Sequence, residues 1–154
     1  MTLRDATPAD FVALAELEVA FPDRQRWSVG AWQAELAAPD RLVHVIDHGH
    51  VVAAATWQCV ADVMDLHRIV VAPNQRRRGL ARRLLAAGLA WGAGQGARRV
   101  LLEVADDNGA AIGLYQAHGF GEIARRRGYY ASGRDALIME RPLHPSGLTE
   151  LEHS

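Results

Sequence analysis

The chain has 154 residues, 49% of them hydrophobic and 23% charged, and a formal net charge of -1. Those totals suit one globular domain with a sizeable core; they exclude a disordered chain, a general polyanion-coating surface and, with Cys59 as the one cysteine, a disulfide scaffold. No apolar run approaches the ~18 residues of a membrane span, and "MTLRDATPADF" carries charges where a signal peptide has its apolar core, so a cytoplasmic protein with no membrane partner is expected.

"TPADFVALAELEVAF" predicts a helix, with Thr7 as N-cap and Pro8 at the first helical position. Phe11, Leu14, Ala15 and Leu17 then recur at helical spacing. "WSVGAWQAELAAP" predicts a shorter helix, capped by Ser28 and stopped before Pro39. "RLVHVID" and "VVAAATWQCV" are β-rich runs on either side of "DHGH", a hairpin signal. His48 and His50 sit at that tip without further ligand candidates, so a turn is expected there and no metal site. Cys59 lies in the second run and reads as a buried, inert thiol.

"VMDLHRIVVAP" predicts a strand ended by Pro73, which has no N–H to give a ladder. A helix is expected over 79–91, with Leu80, Leu84, Leu85, Gly88 and Leu89 as its apolar stripe and "GAGQGA" as its break. "RRVLLEV" is a short apolar strand of central type. "NGAAIGLYQAHGF" starts a helix near Asn108 and ends it at Gly119. "FGEIARRRGYY" and "DALIMERPL" are two last strands, and 144–154 reads as a flexible tail. The order β-α-α-β-β-β-α-β-α-β-β implies an α+β fold, a mixed central sheet flanked by about four helices, in one domain over 1–143.

The charge is uneven. After the strand that ends at Pro73 come Arg76, Arg77, Arg78, Arg82 and Arg83, crowded around Gly79. A helix start leaves backbone N–H groups unpaired at the positive end of the helix dipole, and phosphate is the usual guest. Gly79 lets a ligand approach the backbone, and arginine forks add donors. Neither the P-loop pattern nor G-x-G-x-x-G is present.

What stands there, Arg76-x-x-Gly79-x-Ala81, resembles motif A of the GNAT N-acetyltransferases, Q/R-x-x-G-x-G/A. The resemblance implies that Arg76, Arg77, Arg78, Gly79, Leu80, Ala81 and Arg82 hold the pyrophosphate of acetyl-CoA. It also implies that Ile69, Val70 and Val71 hydrogen-bond the pantetheine arm through their backbone. "LLEVADDNGAAIGLYQAHGF" resembles the signature of the ribosomal-protein alanine N-acetyltransferase (RimI) branch. There Glu103 matches the catalytic base, Tyr115 the catalytic acid and Asn108 a cofactor contact. "RWS" at 26–28, with Trp27, and "RRRGYYASGRDALIME", with Tyr129 and Tyr130, resemble the stretches that shape the peptide entrance. Arg26 stands where the branch has proline. The resemblance covers about residues 3–143.

Acyl transfer from a thioester needs a neutral amine, hence a base, and the departing thiolate needs a proton. Glu103, flanked by Leu102 and Val104, reads as a desolvated carboxylate suited to the first task, and the Tyr115 phenol is suited to the second. His67, on the same strand as Ile69, reads as a substrate-side or auxiliary residue, with a packed or surface histidine as the alternative. The expected reaction moves acetyl from acetyl-CoA to the N-terminal α-amine of a protein, the usual acceptor of the branch being the alanine N-terminus of ribosomal protein S18. A lysine or a small amine is the alternative acceptor. An RNA- or ribosome-binding module built on "RRRG" and "RRRGYY" gives no reason for Glu103, Asn108 and Tyr115 to occur together, so no direct nucleic-acid partner is expected.

Overall fold

A computed structural model describes residues 1–130 and 133–143, apart from the side chain of Arg24; the tail expected over 144–154 lies outside the described residues. Among them the expected order of elements is realised. It comprises β1 (Thr2–Asp5), α1 (Phe11–Leu17), α2 (Val29–Ala37), β2 (Arg41–Asp47), β3 (Val51–Val60) and β4 (Val63–Val71). Then follow α3 (Leu80–Gly94), β5 (Arg99–Ala105), α4 (Gly109–Ala117), β6 (Gly121–Arg126) and β7 (Ala136–Pro142). The strands form one mixed sheet in the order β1-β2-β3-β4-β5-β7-β6. The β4–β5 pair is parallel; β1–β2, β2–β3, β5–β7 and β6–β7 are antiparallel. Among the described residues no helix is long and apolar enough to cross a membrane.

Local chemistry sets the ends of these elements. Ser28 Oγ accepts the Ala31 N–H at 3.1 Å and starts α2. The first helix begins later than its sequence pattern predicts. Pro8–Asp10 close as a 3-10 turn, and the Asp10 carboxylate accepts the Thr7 N–H at 2.8 Å and both Arg4 Nη atoms at 2.9 and 3.0 Å. The third helix runs past Trp91 to Gly94, so the expected break comes late. Gly92 is needed for contact: a Cβ there would meet Met64 Sδ at 2.6 Å. Two residues past the helix end Gly96, whose φ of +86 is left-handed, turns the chain away, with the Ala97 N–H returning to the Gly92 carbonyl at 2.9 Å.

The chain divides into two compact units. The unit formed by Met1–Gln58 and His67–Gly88 buries Leu14, Leu17, Trp32, Val43, Val45, Val51 and Val70 in one cluster, with Phe11, Phe21 and Trp27 packed against it. Trp32 and Trp57 are fully buried. A tryptophan removes roughly 150–250 Å² from water, on the order of 4–6 kcal/mol at about 25 cal/mol per Å². The first turns of α3 belong to this unit and bury Leu80, Leu84 and Leu85. Gly88 is demanded by packing: an added Cβ would sit 2.2 Å from Trp57 Cε2.

The unit formed by Cys59–Leu66 and Leu89–Ser154 is built on β5, β6 and β7. Val100, Leu102 and Val104 of β5 and Leu137 and Met139 of β7 are buried. Tyr115 of α4 packs edge-on against Phe120, ring centroids 5.9 Å apart. Cys59 is buried as expected, and its thiol points at the Ala61 carbonyl, 3.8 Å away.

Candidate active site

In the first unit, β4 ends at Val71 and the chain passes through a 3-10 turn, Pro73–Gln75, into the arginine-rich loop. Arg77 and Gly79 adopt left-handed backbone, φ 65 and 74. For arginine that conformation costs roughly 1–2 kcal/mol, an outlier of the kind found at ligand-binding loops. The Arg83 N–H is the first of α3 to find an acceptor, the Gly79 carbonyl at 3.0 Å; those of Leu80, Ala81 and Arg82 ahead of it have no backbone acceptor among the described residues. Arg76, Arg77, Arg78 and Arg82 are exposed and make no ion pair among the described residues. The position of a Gly79 Cβ is open space. Unspent amide donors, unspent guanidinium donors and an open glycine fit a diphosphate; the Ala81 methyl is the one departure from an all-glycine approach. Ile69, Val70 and Val71 lie on β4 beyond Val63, Met64 and Asp65, the residues that pair with β5.

The same unit contains a cluster that the sequence did not disclose. Glu18, on the 3-10 turn after α1, is 1% exposed at its side chain. Its Oε1 accepts the Trp27 N–H at 2.8 Å and an Arg68 Nη2–H, and Arg68 Nη2 also donates to the Gln25 carbonyl. The Arg68 guanidinium lies 3.8 Å from the Phe21 ring centroid and 5.1 Å from that of Trp27. Trp27 packs at a tilt against Trp32, ring centroids 4.9 Å apart, so it is a fixed wall of the 18–28 segment rather than a free surface ring. Nearby, Glu35 Oε1 gathers the Thr56 hydroxyl at 2.7 Å, His67 Nδ1 at 2.7 Å and Arg41 Nε at 3.2 Å. Burial pulls the Glu35 carboxyl up, but the hydrogen bonds from His67 and Thr56 and the adjacent charges of His67 and Arg41 outweigh it and hold it below its ordinary value. A charged residue inside an apolar stretch ("AELEVAF" for Glu18, "DLHRIVV" for Arg68) is the signal that marks such partners.

In the second unit, β5 alternates as its sequence implies: Leu102 and Val104 are buried and Glu103 is exposed. The apolar flanks of Glu103 therefore face away from it, and the expected desolvation of its carboxylate is absent. Asn108 is the N-cap of α4; its Oδ1 accepts the Ala111 N–H at 3.3 Å, which leaves the side-chain amide NH2 for a ligand. Tyr115 is buried, and burial pushes its phenol up to about 12. Its hydroxyl has no hydrogen-bond partner among the described residues. Tyr130 is half-buried and its phenol is also raised, first by burial and next by the negative charge of Glu103. Tyr129 is exposed and meets Tyr130 edge-on at 5.3 Å, with Arg126 over one ring and Arg134 over the other. Glu103, Asn108, Tyr115, Tyr129 and Tyr130 thus fall in this unit, while Trp27, His67, the 69–71 stretch and the arginine loop fall in the other. No cluster of three or more metal-ligating side chains occurs among the described residues.

A family model described as the acetyltransferase (GNAT) family matches residues 5–120. The N-alpha-acetyltransferase RimI of Mycobacterium tuberculosis is 35% identical over 156 residues, covering 92% of each chain. An uncharacterized protein of Mycobacterium leprae is 38% identical over 147 residues, and the chain spans only 39% of its length. Among solved structures, the ribosomal-protein-S18-alanine N-acetyltransferase of Escherichia coli superposes with a TM-score of 0.83 at 33% identity, covering 95% of this chain and 96% of that one.

Proposed function

The chain belongs to the acetyltransferase (GNAT) family and is an acetyl-CoA-dependent N-acetyltransferase, and on that premise we propose that its acceptor is the N-terminal α-amine of a protein, specifically the alanine N-terminus of ribosomal protein S18. The single observation that carries the chemistry is Tyr115: a buried phenol, pushed up to about 12, whose hydroxyl is committed to no neighbour among the described residues. Such a group holds its proton across the physiological range and is available as a donor rather than a base. Support for the acceptor comes from relatives named for N-terminal α-amine and S18 acetylation.

Acetyl-CoA supplies an acetyl group activated as a thioester. Arg76, Arg77, Arg78 and Arg82, with the amides of Leu80 and Ala81, bind its diphosphate. The backbone of Ile69, Val70 and Val71 orients its pantetheine arm, and the Asn108 side-chain amide is a further contact. Glu103 takes a proton from the amine, and Tyr115 gives one to the departing sulfur. Trp27, Tyr129 and Tyr130 shape the approach of the peptide, with His67 on the acceptor side.

The test is a panel of peptides with free N-termini, one beginning with alanine as in S18, together with lysine-containing and small amines. Each is incubated with acetyl-CoA and the full chain and read by mass. The reading predicts acetylation of the alanine α-amine with the highest kcat/KM. Preference for a lysine side chain or a small amine would replace the acceptor and leave the chemistry in place.

A further inference from the structure

Arg68 shares one face of β4 with Val70, which is buried in the core cluster, so a cation occupies a position that strand alternation assigns to the core. Its side chain is 14% exposed and that of its partner Glu18 1%. From there one guanidinium reaches the whole 18–27 segment. Nη2 donates to the Glu18 carboxylate, where the segment begins, and to the Gln25 carbonyl near its end. The guanidinium carbon lies 3.8 Å from the Phe21 ring centroid and 5.1 Å from that of Trp27. Glu18 Oε1 also accepts the Trp27 N–H at 2.8 Å. The segment is tied to itself as well: Arg26 Nε donates to the Phe21 carbonyl at 2.8 Å, and Arg26 Nη1 pairs with Asp23 Oδ1 at 2.6 Å. It is braced as one body, and Arg68 ties that body to β4.

A buried ion pair is a poor device for stability. Taking both charges out of water costs about as much as their attraction returns, and an uncharged pair of similar volume often holds a fold as well or better. What the pair supplies is geometry, because a guanidinium presents its donors in a fixed plane and stacks on aromatic rings. Phe21 and Trp27 are half-buried, so each ring keeps part of its surface for a ligand. The residues of β4 that follow Arg68 are Ile69, Val70 and Val71, those proposed to orient the pantetheine arm. We propose that Arg68, with Glu18, is a positioning residue for the acceptor: it fixes Phe21 and Trp27 as an aromatic wall beside that strand, and the first residues of the acceptor peptide pack against the wall. The proposal rests on the acyl-transfer reading above. It assigns the buried pair to acceptor recognition, leaving acetyl-CoA binding to the arginine loop.

The experiment measures kcat and both KM values for the full chain, with acetyl-CoA and an alanine N-terminal peptide, in wild type and in the double variant Glu18→Gln/Arg68→Met. That variant removes both charges and keeps an acceptor for the Trp27 N–H, so its Tm is expected to stay within about 4 °C of wild type. Its kcat/KM for the peptide is expected to fall roughly 10–100-fold, chiefly through a higher peptide KM, with KM for acetyl-CoA within about threefold. A peptide KM within threefold of wild type overturns the proposal. So does a rise in KM for acetyl-CoA as large as that for the peptide, which makes the pair a strut for the whole unit. Should the double variant fail to fold, Arg68→Lys decides: it keeps the charge beside Glu18 but not the planar group that spans Gln25 and the two rings. A raised peptide KM at unchanged acetyl-CoA KM is expected there, and a wild-type peptide KM overturns the proposal. A wild type that acetylates no peptide overturns the acceptor reading itself, and this proposal with it.

Discussion

Replacing Tyr115 by phenylalanine separates its chemical role from its packing role. The ring is buried and packs edge-on against Phe120, and phenylalanine keeps that ring and almost all of its volume. The hydroxyl has no hydrogen-bond partner among the described residues, so its removal strands no donor or acceptor. Tyr115→Phe should therefore leave stability nearly unchanged, within about 1 kcal/mol, which at this chain length is a Tm change of no more than about 2–4 °C. The proton to the sulfur is lost at the same time, and kcat should fall roughly 10²–10⁴-fold, equal to about 3–5 kcal/mol in the barrier. Acetyl-CoA should still raise the Tm, since none of the residues proposed to hold its diphosphate is altered. The pH dependence adds a second reading. The phenol rises from 10.0 to about 12 on folding, a difference of about 2–3 kcal/mol in favour of its protonated form. That contribution is complete below pH 10 and is lost as pH climbs from 10 toward 12; Tyr115→Phe should abolish this alkaline loss. The assays are a spectrophotometric release of the CoA thiol, a melting curve and an alkaline titration at the tyrosinate band. A variant that melts like wild type and turns over within threefold of it refutes the acid role. One that loses both stability and turnover makes Tyr115 a packing residue.

Gly88→Ala places a methyl 2.2 Å from the buried Trp57 ring and should destabilise by about 1–3 kcal/mol despite alanine's better helix propensity, whereas Gly94→Ala, with nothing within 4 Å, should be neutral or slightly stabilising; paired melting curves with the same sign for both would contradict the close approach. The hydrogen bonds from Arg4 hold the Asp10 carboxyl below its ordinary 3.8, and Glu35 lies below its ordinary 4.5. Their stabilisation is complete above those values and is lost as pH falls below them, so Tm should drop steeply under about pH 4, less so in Asp10→Asn or Glu35→Gln. Arg78→Glu should weaken acetyl-CoA binding by about 10–100-fold, read by calorimetry, with Tm of the free protein unchanged because this exposed side chain makes no ion pair among the described residues; unaltered affinity would take Arg78 out of the diphosphate site.

The order of the elements, the stripe of α3, the alternation of β5 and the residues of the arginine loop are all legible in the amino-acid string alone. Periodicity, caps and turn glycines are written in neighbouring residues, and they act over a few positions. The resemblance of "RRRGLA" and "LLEV" to family motifs rests on equally local patterns. Tertiary structure decided what each of those residues experiences. The apolar flanks of Glu103 face the opposite side of its strand and leave it exposed, while Tyr115, in a helix of similar composition, is buried deeply enough to move its phenol. Partners far apart in the chain were illegible beforehand. Glu35 meets Thr56 across 21 positions and His67 across 32, and Glu18 meets Arg68 across 50. Which charged side chains share a buried corner depends on the register and face of each packed element. A shift of one residue along a strand turns every side chain to the other face, and no short-range pattern encodes that choice.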